Sequence, residues 1–298
     1  MTAPAVVAIG GGHGLAASLR AARGYAGSIT AIVSVADDGG SSGRLREAMP
    51  HLPAPGDVRR CLSALADDGS ALARTLEHRF DDADRGLSGH AFGNLLLAAL
   101  TEELGSFSAA VDEVARLVGA VGRVLPATAG PVALEGRRHP SPVAGRSERV
   151  VGQVAVQNSG GVSILSLTPA GAASPGAVTG AILGADQVVL GPGSLFTSVL
   201  AAAIVPAVHE ALMATSARRV YVANLAPQVP ETEGFTLADH VDALVAHQVP
   251  IDVVLCDDGA IGPLGRRSVC PVVARPVADD RGLLHHPGRL GAALAGLL

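Results

Sequence analysis

The sequence predicts an α/β fold: a Rossmann-like, mostly parallel sheet with helices on both faces and a small antiparallel hairpin excursion. Strand-like apolar runs alternate with helix-like segments along most of the 298 residues, which is the pattern of a doubly wound sheet. Hydrophobic residues make up 48% of the chain and charged residues 16%, as in a tightly packed globular protein. We expect a single domain over residues 1–298, with a β-rich excursion at about residues 125–170.

The N-terminal segment predicts a βαβ unit. An apolar run, Ala5 to Ile9, meets the turn "GGGHG", and "LAASLRAAR" then places its apolar residues at helical intervals. A second strand, Ile29 to Ala36, leads into "DDGGSSGRLR". Both loops follow the carboxyl ends of parallel strands, which is the edge where open α/β sheets bind ligands.

The middle of the chain predicts three helices and then extended structure. "PGDVRRCLSALAD" begins a helix with Asp57 as its N-cap, and further helices span about Asn94 to Glu103 and Phe107 to Gly119. "VGRVLPATAGPVALEG" is typical of extended chain. Between Val150 and Leu167, two alternating segments flank "NSGG", which predicts a β-hairpin.

The second half returns to α/β alternation. In order, we predict a helix near Ala177 to Leu183, strand "QVVLGPG", helices from Ser194 and from Pro206, strand "RRVYVANL", helix "LADHVDALVAH" and strand "IDVVLCDD". The uncharged run from Val188 to Val208 contains glycines and prolines, so we interpret it as strand, loop and helix. We expect no secretory signal and no membrane insertion.

Composition excludes several kinds of chemistry. All 22 basic residues are arginine, so a P-loop lysine, a Schiff-base lysine and a pyridoxal phosphate anchor are impossible. A net charge of −5 without a basic cluster argues against nucleic acid as a partner. Cys61, Cys256 and Cys270 form no CxxC pair, which is typical of reduced thiols in a cytoplasmic protein.

Two glycine-rich turns are candidate phosphate sites. Gly12-x-Gly14-x-x-Ala17 matches the dinucleotide-binding turn, and Asp37 falls near the distance expected for a ribose-binding acid. "GPGSLFTS" repeats the strand-turn-helix pattern and supplies Ser194 and Thr197. The alternatives are a tight structural turn at the first motif and simple helix capping by Ser194 at the second.

The acidic and basic residues after the second strand allow several contacts. Asp37 and Asp38 could hold a divalent metal such as Mg²⁺, one of them could bind a ribose or sugar diol, or one could cap the loop. Since adjacent strand side chains point to opposite faces, both reach one ligand only if the loop turns at once. Arg44 and Arg46 suit phosphate, but their spacing lets only one of them reach it.

The motifs, taken together and in order, resemble the YvcK-type gluconeogenesis factors of the CofD-like superfamily. They are "GGGHG", "ITAIVSVADDGGSSGRLR", "PGDVRRCL", "GHAFGNLLLAAL", "VLPAT", "ADQVVLGPGSLFTSV", "VYVANL" and "ETEGFTLADHV". The resemblance covers nearly the whole chain. It implies a cytoplasmic protein that binds a nucleotide-containing ligand, thought to be a UDP-sugar such as UDP-N-acetylglucosamine, and that maintains cell shape and the cell wall on gluconeogenic carbon sources.

The resemblance also implies the residues of the ligand site. By position they are Gly10, Gly11, Gly12, Gly14, Asp37, Asp38, Gly39, Gly40, Ser41, Ser42, Asp57, Arg59, His90, Asn94, Gly191, Gly193, Ser194, Thr197 and Asn224, to which we add Arg44 as a phosphate contact.

The chain departs from the family pattern at several positions, among them Val199 to Ala202, where the family usually has Pro-Asn after "TS". His13 stands where the family usually has Thr, and Leu284 and His286 replace an Arg and an Asp near the C-terminus. If that tail helps to bind the ligand, Arg281 or Arg289 must take over, or the affinity is lower.

Three functions remain open on sequence alone. The resemblance favours a ligand-binding regulator over an enzyme. Its transferase branch suggests instead a metal-dependent enzyme that moves a phospholactyl-type group from a guanosine diphosphate carrier to a deazaflavin acceptor. The glycine turn with its spaced acid leaves an NAD-dependent oxidoreductase as a weaker alternative. A homo-oligomer and regulatory protein partners also stay open.

Overall fold

A computed structural model describes residues 3–67, 69–81, 86–138, 148–258 and 270–298. The strands are β1 (Ala5–Gly10), β2 (Ser28–Val33), β3 (Arg123–Pro126), β4 (Ala133–Arg138), β5 (Arg149–Val151), β6 (Val162–Thr168), β7 (Gln187–Leu190), β8 (Arg218–Val222), β9 (Val253–Cys256) and β10 (Val272–Ala274).

The helices lie between these strands, singly or in succession, and the last helix follows β10. They are α1 (Gly12–Ala22), α2 (Gly40–Ala48), α3 (Gly56–Leu65), α4 (Ala71–Leu76), α5 (Phe92–Leu104), α6 (Phe107–Leu117), α7 (Gln153–Ser159), α8 (Ala177–Leu183), a π-helix (Leu195–Leu200), α9 (Ala201–Ala203), α10 (Pro206–Ala214), α11 (Leu237–Ala246) and α12 (Pro287–Ala295).

The main sheet has seven strands in the order β10-β9-β8-β7-β1-β2-β3, and every pair is parallel. The central strands are built mainly from Val, Ile, Leu and Ala and are buried throughout β7 and β9, as expected for strands covered on both faces. The chain runs outward from β1 through β2 to β3 and later returns to β7 on the other side of β1. The strand order therefore reverses between β1 and β7, where such sheets form a ligand crevice. This confirms the predicted fold class.

The small antiparallel excursion is a three-stranded sheet with the order β5-β4-β6. The predicted hairpin across "NSGG" is wrong, because β5 and β6 both pair with β4 and not with each other. The residues between them form α7, which ends at Gly160, and Gly160 and Gly161 both have positive φ. β3 also belongs to the main sheet, so the excursion begins at β4.

Two local predictions change at the helix ends. Asp57 is not the N-cap of α3, because Pro55 holds that position and Asp57 lies in the first turn. Ser194 precedes a π-helix, and its side chain makes no capping hydrogen bond. The sequence interpretation also missed α4, β10 and α12, which are short or lie beyond the last clear motif.

No single helix among the described residues is long and apolar enough to cross a membrane. One bent pair, Leu195–Ala203 with Pro206–Ala214 at 73°, passes the same test by length and composition.

Candidate functional site

A cavity of about 470 Å³ opens at the point where the strand order reverses. It lies among the turns that follow β1, β2 and β7, at the carboxyl ends of these strands. Most of the predicted site residues line it: Gly11, Gly12, Gly14, Asp37, Gly39, Gly40, Ser41, Ser42, Asp57, Arg59, Asn94, Gly193, Ser194 and Thr197.

The turns after β1 and β7 touch directly. A Cβ added to Gly14 would lie 2.2 Å from the carbonyl oxygen of Pro192, so any side chain there would overlap backbone. Gly12 adopts φ +63°, the left-handed region that favours glycine. Gly12 and Gly14 therefore allow close packing of the backbone, and both also line the cavity.

Two helix N-termini face the cavity. The N-caps of α1 and α2 are Gly11 and Gly39, and neither caps its helix with a side chain. Their first turns, at Gly12 to Gly14 and Gly40 to Ser42, line the cavity. Because the first amides of a helix lack intrahelical partners and carry partial positive charge, this arrangement suits an anion.

Asp57 links the α1 turn to the cations of α3. Its carboxylate accepts hydrogen bonds from Arg60 Nη1 at 2.8 Å and from the backbone N–H of Gly12. Burial raises the pKa of Asp57, Arg60 lowers it, and the nearby Asp37 raises it again. The paired acids Asp37 and Asp57 thus face a cavity that is otherwise rich in donors.

Three guanidinium groups line the cavity: Arg59, Arg60 and Arg79. Arg59 is 1% exposed and its Nη1 lies 3.2 Å from Glu77 Oε2, while its Nε has no hydrogen-bond partner among the described residues. Arg79 is exposed and donates from Nη1 to the carbonyl oxygen of Gly89 at 3.1 Å. Guanidinium groups are the side chains best suited to phosphate oxygens.

A cluster of hydrogen bonds is centred on the hydroxyl group of Ser41, which also lines the cavity. Ser41 Oγ accepts from Asn94 Nδ2 at 3.0 Å and from the backbone N–H of Ala91 at 3.3 Å, and lies 3.1 Å from His90 Nδ1. Burial and then Arg44 lower the pKa of His90, so its ring is neutral at neutral pH. His90 does not line the cavity, whereas Ser41 and Asn94 do.

The two adjacent acids point apart, as predicted for neighbours on an extended chain. Asp37 lines the cavity and accepts from the backbone N–H of Gly39 at 2.9 Å. Asp38 accepts from the backbone N–H groups of Gln153 and Val154 at the start of α7. A metal held by both acids stays a prediction, although the two carboxylates lie in different surroundings.

The turn after β7 offers fewer free donors than its sequence suggests. The Gly193 N–H donates to Asn224 Oδ1 at 2.9 Å. The N–H of Phe196, the N–H of Thr197 and the Thr197 hydroxyl donate to the buried carboxylate of Glu231 at 2.7, 3.3 and 2.8 Å. A protein carboxylate therefore already occupies this helix N-terminus, and the turn presents its hydroxyl groups to the cavity.

The remaining predicted residues lie outside the cavity lining. Gly10 and Gly191 shape the two turns, and Asn224 holds Gly193 from behind. Arg44 donates to the carbonyl oxygen of Ser88, and Arg46 donates to backbone carbonyl oxygens that include that of Asp37. Neither arginine of "SGRLR" lines the cavity, in contrast to the expectation that one reaches phosphate.

The departures from the family pattern also have clear positions. His13 lines the cavity, and burial followed by Arg60 lowers its pKa. Leu284 is 67% exposed, and the His286 side chain accepts from the backbone N–H of Arg289 as an N-cap of α12. Arg281 and Arg289 do not line the cavity.

Several lining residues were missed: Ser34, Gly56, Arg60, Arg79, Gln153, Val154, Gln157 and Gln228. Arg60 could have been found, because it adjoins Arg59 in "PGDVRRCL". The three glutamines carry no local signal, since neutral polar residues in these segments look like ordinary surface.

The chain is similar to known proteins over nearly its whole length. The family model described as 2-phospho-L-lactate transferase CofD matches residues 6–284. The chain belongs to the CofD family. The matched range covers both sheets except for the first residue of β1, so membership rests on most of the core and not on one motif.

Relatives within this CofD family are similar over most of their length. A protein of Mycobacterium tuberculosis is 43% identical over 310 residues, which is 98% of this chain and 90% of the relative. The gluconeogenesis factor of Halalkalibacterium halodurans is 41% identical over 243 residues, covering 81% of this chain and 73% of that protein. The crystal structure of a UPF0052 family member from Bacillus halodurans is 33% identical, covers 99% of both chains and superposes with a TM-score of 0.88.

Proposed function

We propose that this CofD-family protein binds a nucleoside diphosphate sugar of the UDP-N-acetylglucosamine class and acts as a cytoplasmic gluconeogenesis factor. The observation that carries the proposal is the convergence of two helix N-termini, each with a glycine N-cap, with Arg59, Arg60 and Arg79 at one cavity. A diphosphate supplies two adjacent anions, which suit these two kinds of donor together.

The rest of the lining suits the neutral parts of such a ligand. Gln153, Gln157 and Gln228 are polar and uncharged, and Asp37 and Asp57 can accept from sugar hydroxyl groups. The cavity volume of about 470 Å³ is within the range of small-molecule sites. The lining thus has arginines that suit a diphosphate and neutral polar groups that suit a sugar or a base, which supports a ligand that contains both parts.

A regulatory role is supported by the similarity to the gluconeogenesis factor of Halalkalibacterium halodurans. We infer that the protein adjusts cell-wall synthesis and cell shape to the available carbon source, and that the bound nucleotide sugar is the signal.

A metal-dependent transferase is the second candidate, and the family model's own description favours it. Asp37 and Asp57 line the cavity together and would be the carboxylates that face a divalent cation. Among the described residues no group of three His, Cys, Asp or Glu could hold an ion. These two acids therefore fit a cation only if phosphate oxygens and water complete its coordination, as is common for Mg²⁺.

Calorimetry with UDP-N-acetylglucosamine tests the first proposal. We expect saturable binding by the unaltered protein, and about 10- to 100-fold weaker binding by Arg79→Gln, because a charge-assisted hydrogen bond to phosphate is lost. Arg74→Gln is the matched control, since Arg74 is also an exposed arginine but lies outside the cavity lining.

The same titration separates the alternatives. No binding at near-millimolar ligand, or equal losses in the two arginine variants, would contradict the proposal. Tight binding of NAD in preference to the UDP-sugar would favour the oxidoreductase. Release of nucleoside monophosphate from a nucleotide-diphosphate carrier, in the presence of Mg²⁺ and a deazaflavin acceptor, would instead establish the transferase.

A further inference from the structure

We propose that α7 forms the wall of the cavity that recognises the neutral part of the ligand, and that Asp38 is the positioning residue that holds α7 there. This proposal rests on the nucleotide-sugar function above and extends it to specificity. The sequence predicts that Asp38, together with Asp37, contacts a metal or the ligand. The present proposal gives Asp38 a positioning role instead.

The contact between Asp38 and α7 joins segments 115 residues apart. Its two carboxylate oxygens accept from the backbone N–H of Gln153 at 3.0 Å and of Val154 at 2.9 Å. These amides are in the first turn of α7, where they have no partner within the helix. A carboxylate at this end of a helix also meets its partial positive charge.

The surrounding backbone is shaped for this contact. Gly152, the N-cap of α7, has φ +103°, and a Cβ there would lie 2.4 Å from Asp38 Oδ2. A Cβ on Gly39 would lie 2.9 Å from Val154 Cγ2. Both glycines let the α2 turn and the start of α7 approach closely enough for the carboxylate to reach both amides.

The contact places a helix of the small sheet at the cavity of the main sheet. Asp38 lies between Asp37 and Gly39, which both line the cavity. From the other side, α7 supplies Gln153, Val154 and Gln157 to the same lining. Loss of the Asp38 carboxylate would therefore move one wall and leave the helix N-termini and arginines in place.

Gln153 and Gln157 offer the cavity one hydrogen-bond acceptor and one donor group, both uncharged. Gln153 Nε2 donates to Gln157 Oε1 at 3.3 Å, across one turn of α7. This pairing leaves the carbonyl oxygen of one side chain and the amide N–H groups of the other for a ligand. An acceptor beside a donor matches the edge of a uracil ring or the acetamide of an N-acetyl sugar, whereas phosphate needs donors alone.

Calorimetry on four probes tests this assignment: UDP-N-acetylglucosamine, UDP, GDP and inorganic pyrophosphate. We expect Gln157→Ala to weaken UDP-N-acetylglucosamine about 5- to 50-fold, the range for loss of one or two hydrogen bonds, without changing pyrophosphate affinity. The exposed Asn158→Ala, on the same helix but outside the lining, is the control and should bind all probes as the unaltered protein does.

Asp38→Asn tests the positioning role, because each carboxylate oxygen accepts from one amide N–H and the variant replaces one of these oxygens by an NH2 group, which can only donate. We expect the same selective loss for the nucleotides, together with faster hydrogen exchange of the Gln153 and Val154 amides. A loss that includes UDP would place the base against α7, and a loss confined to the N-acetyl sugar would place the sugar there. Both results support the proposal.

Two other results would overturn it. Equal weakening of pyrophosphate and nucleotides in either variant would show a general structural effect, and unchanged nucleotide affinity in Gln157→Ala would show that α7 does not read the ligand. If the unaltered protein bound pyrophosphate but no nucleotide, the function proposed above would fail as well. Nucleotide binding that the variants leave unchanged would overturn the α7 assignment alone.

Discussion

At the scale of single residues, Gly14 couples the two turns that flank the cavity. Its Cα faces the backbone of the Gly191 to Gly193 turn, and a Cβ would lie 2.2 Å from Pro192 O, 2.5 Å from Pro192 C and 2.7 Å from Gly193 Cα. Backbone atoms cannot move aside as a flexible side chain can. The separation of the β1 and β7 turns is therefore fixed by the absence of one methyl group.

Gly14→Ala should lower the free energy of unfolding by about 1–3 kcal/mol, the usual cost of overpacking, and should weaken ligand binding as the turns separate. Thermal unfolding and calorimetry measure the two effects. Gly180→Ala is the control: Gly180 lies in α8, nothing is within 4 Å of its added Cβ, and alanine is the better helix former by up to about 1 kcal/mol. Equal melting temperatures for the unaltered protein and Gly14→Ala would contradict the prediction.

The residue types at the cavity could be predicted from sequence only where a motif carries them. The glycines of "GGGHG" and the acid pair follow from local pattern, and Asp37 lies where the pattern places it. The partner of Asp38 could not be predicted, because it lies 115 residues away on a helix that the sequence suggested was a hairpin. Contacts between distant segments leave no local periodicity to read.

At the scale of elements, the π-helix Leu195–Leu200 depends on Glu231. The carboxylate is 3% exposed and accepts from Phe196 N, Thr197 N and Thr197 Oγ1. Burial raises the pKa of Glu231, and the three donors lower it. π-Helices are rare and occur often at functional sites, and here the first turn is held by a side chain from another segment.

Glu231→Ala should destabilise the protein by about 1–3 kcal/mol, because it leaves buried donors of the π-helix without an acceptor. Chemical unfolding measures the loss. Glu233→Ala is the control, since Glu233 is an exposed acid of the same loop. A loss no larger than that of the control would show that water replaces the carboxylate without cost.

This element also shows a limit of sequence interpretation. "GPGSLFTS" correctly predicts strand, turn and helix, and therefore predicts free amides for an anion. The structure gives those amides to Glu231, from the "ETEGFTLADH" segment. A motif can locate a helix N-terminus, but it does not show which anion occupies that end.

At the scale of the whole molecule, buried and partly buried histidines link stability to pH. Burial lowers the pKa values of His240, His247 and His285 below that of a free histidine. As pH falls below about 6.5, the unfolded chain takes up protons that the folded protein does not. The contribution of these histidines to the free energy of unfolding is therefore complete at higher pH and declines on acidification.

His240→Leu isolates one of these groups. His240 is fully buried and bonds the carbonyl oxygen of Thr236 through Nδ1, while its Nε2 has no partner among the described residues. The unaltered protein should lose stability between pH 7 and pH 5.5 more steeply than the variant, by at most about 1.4 kcal/mol per pH unit for one proton. Denaturant unfolding at both pH values measures the slopes, and parallel slopes would contradict the prediction.

The architecture itself was largely predictable, because buried parallel strands and amphipathic helices repeat with clear periods. The small antiparallel excursion was predicted too, but its strand order was not, since β4 pairs with both β5 and β6 and only the three-dimensional pairing reveals that order. β10 and α12, which lie near the C-terminus, were likewise not predicted, because they are short and follow the last clear motif of the chain.

The position of α7 has a consequence for how a bound ligand would be sensed. A molecule held between the three cavity arginines and the glutamines of α7 would add to the Asp38 contact a second link between the two sheets, which are separate in strand pairing over the described residues. Occupancy would then suppress local opening of the small sheet and slow its cleavage by proteases. The ligand concentration would then set the fraction of time for which the small sheet stays closed. A partner protein that binds the closed small sheet could detect this fraction without contacting the cavity.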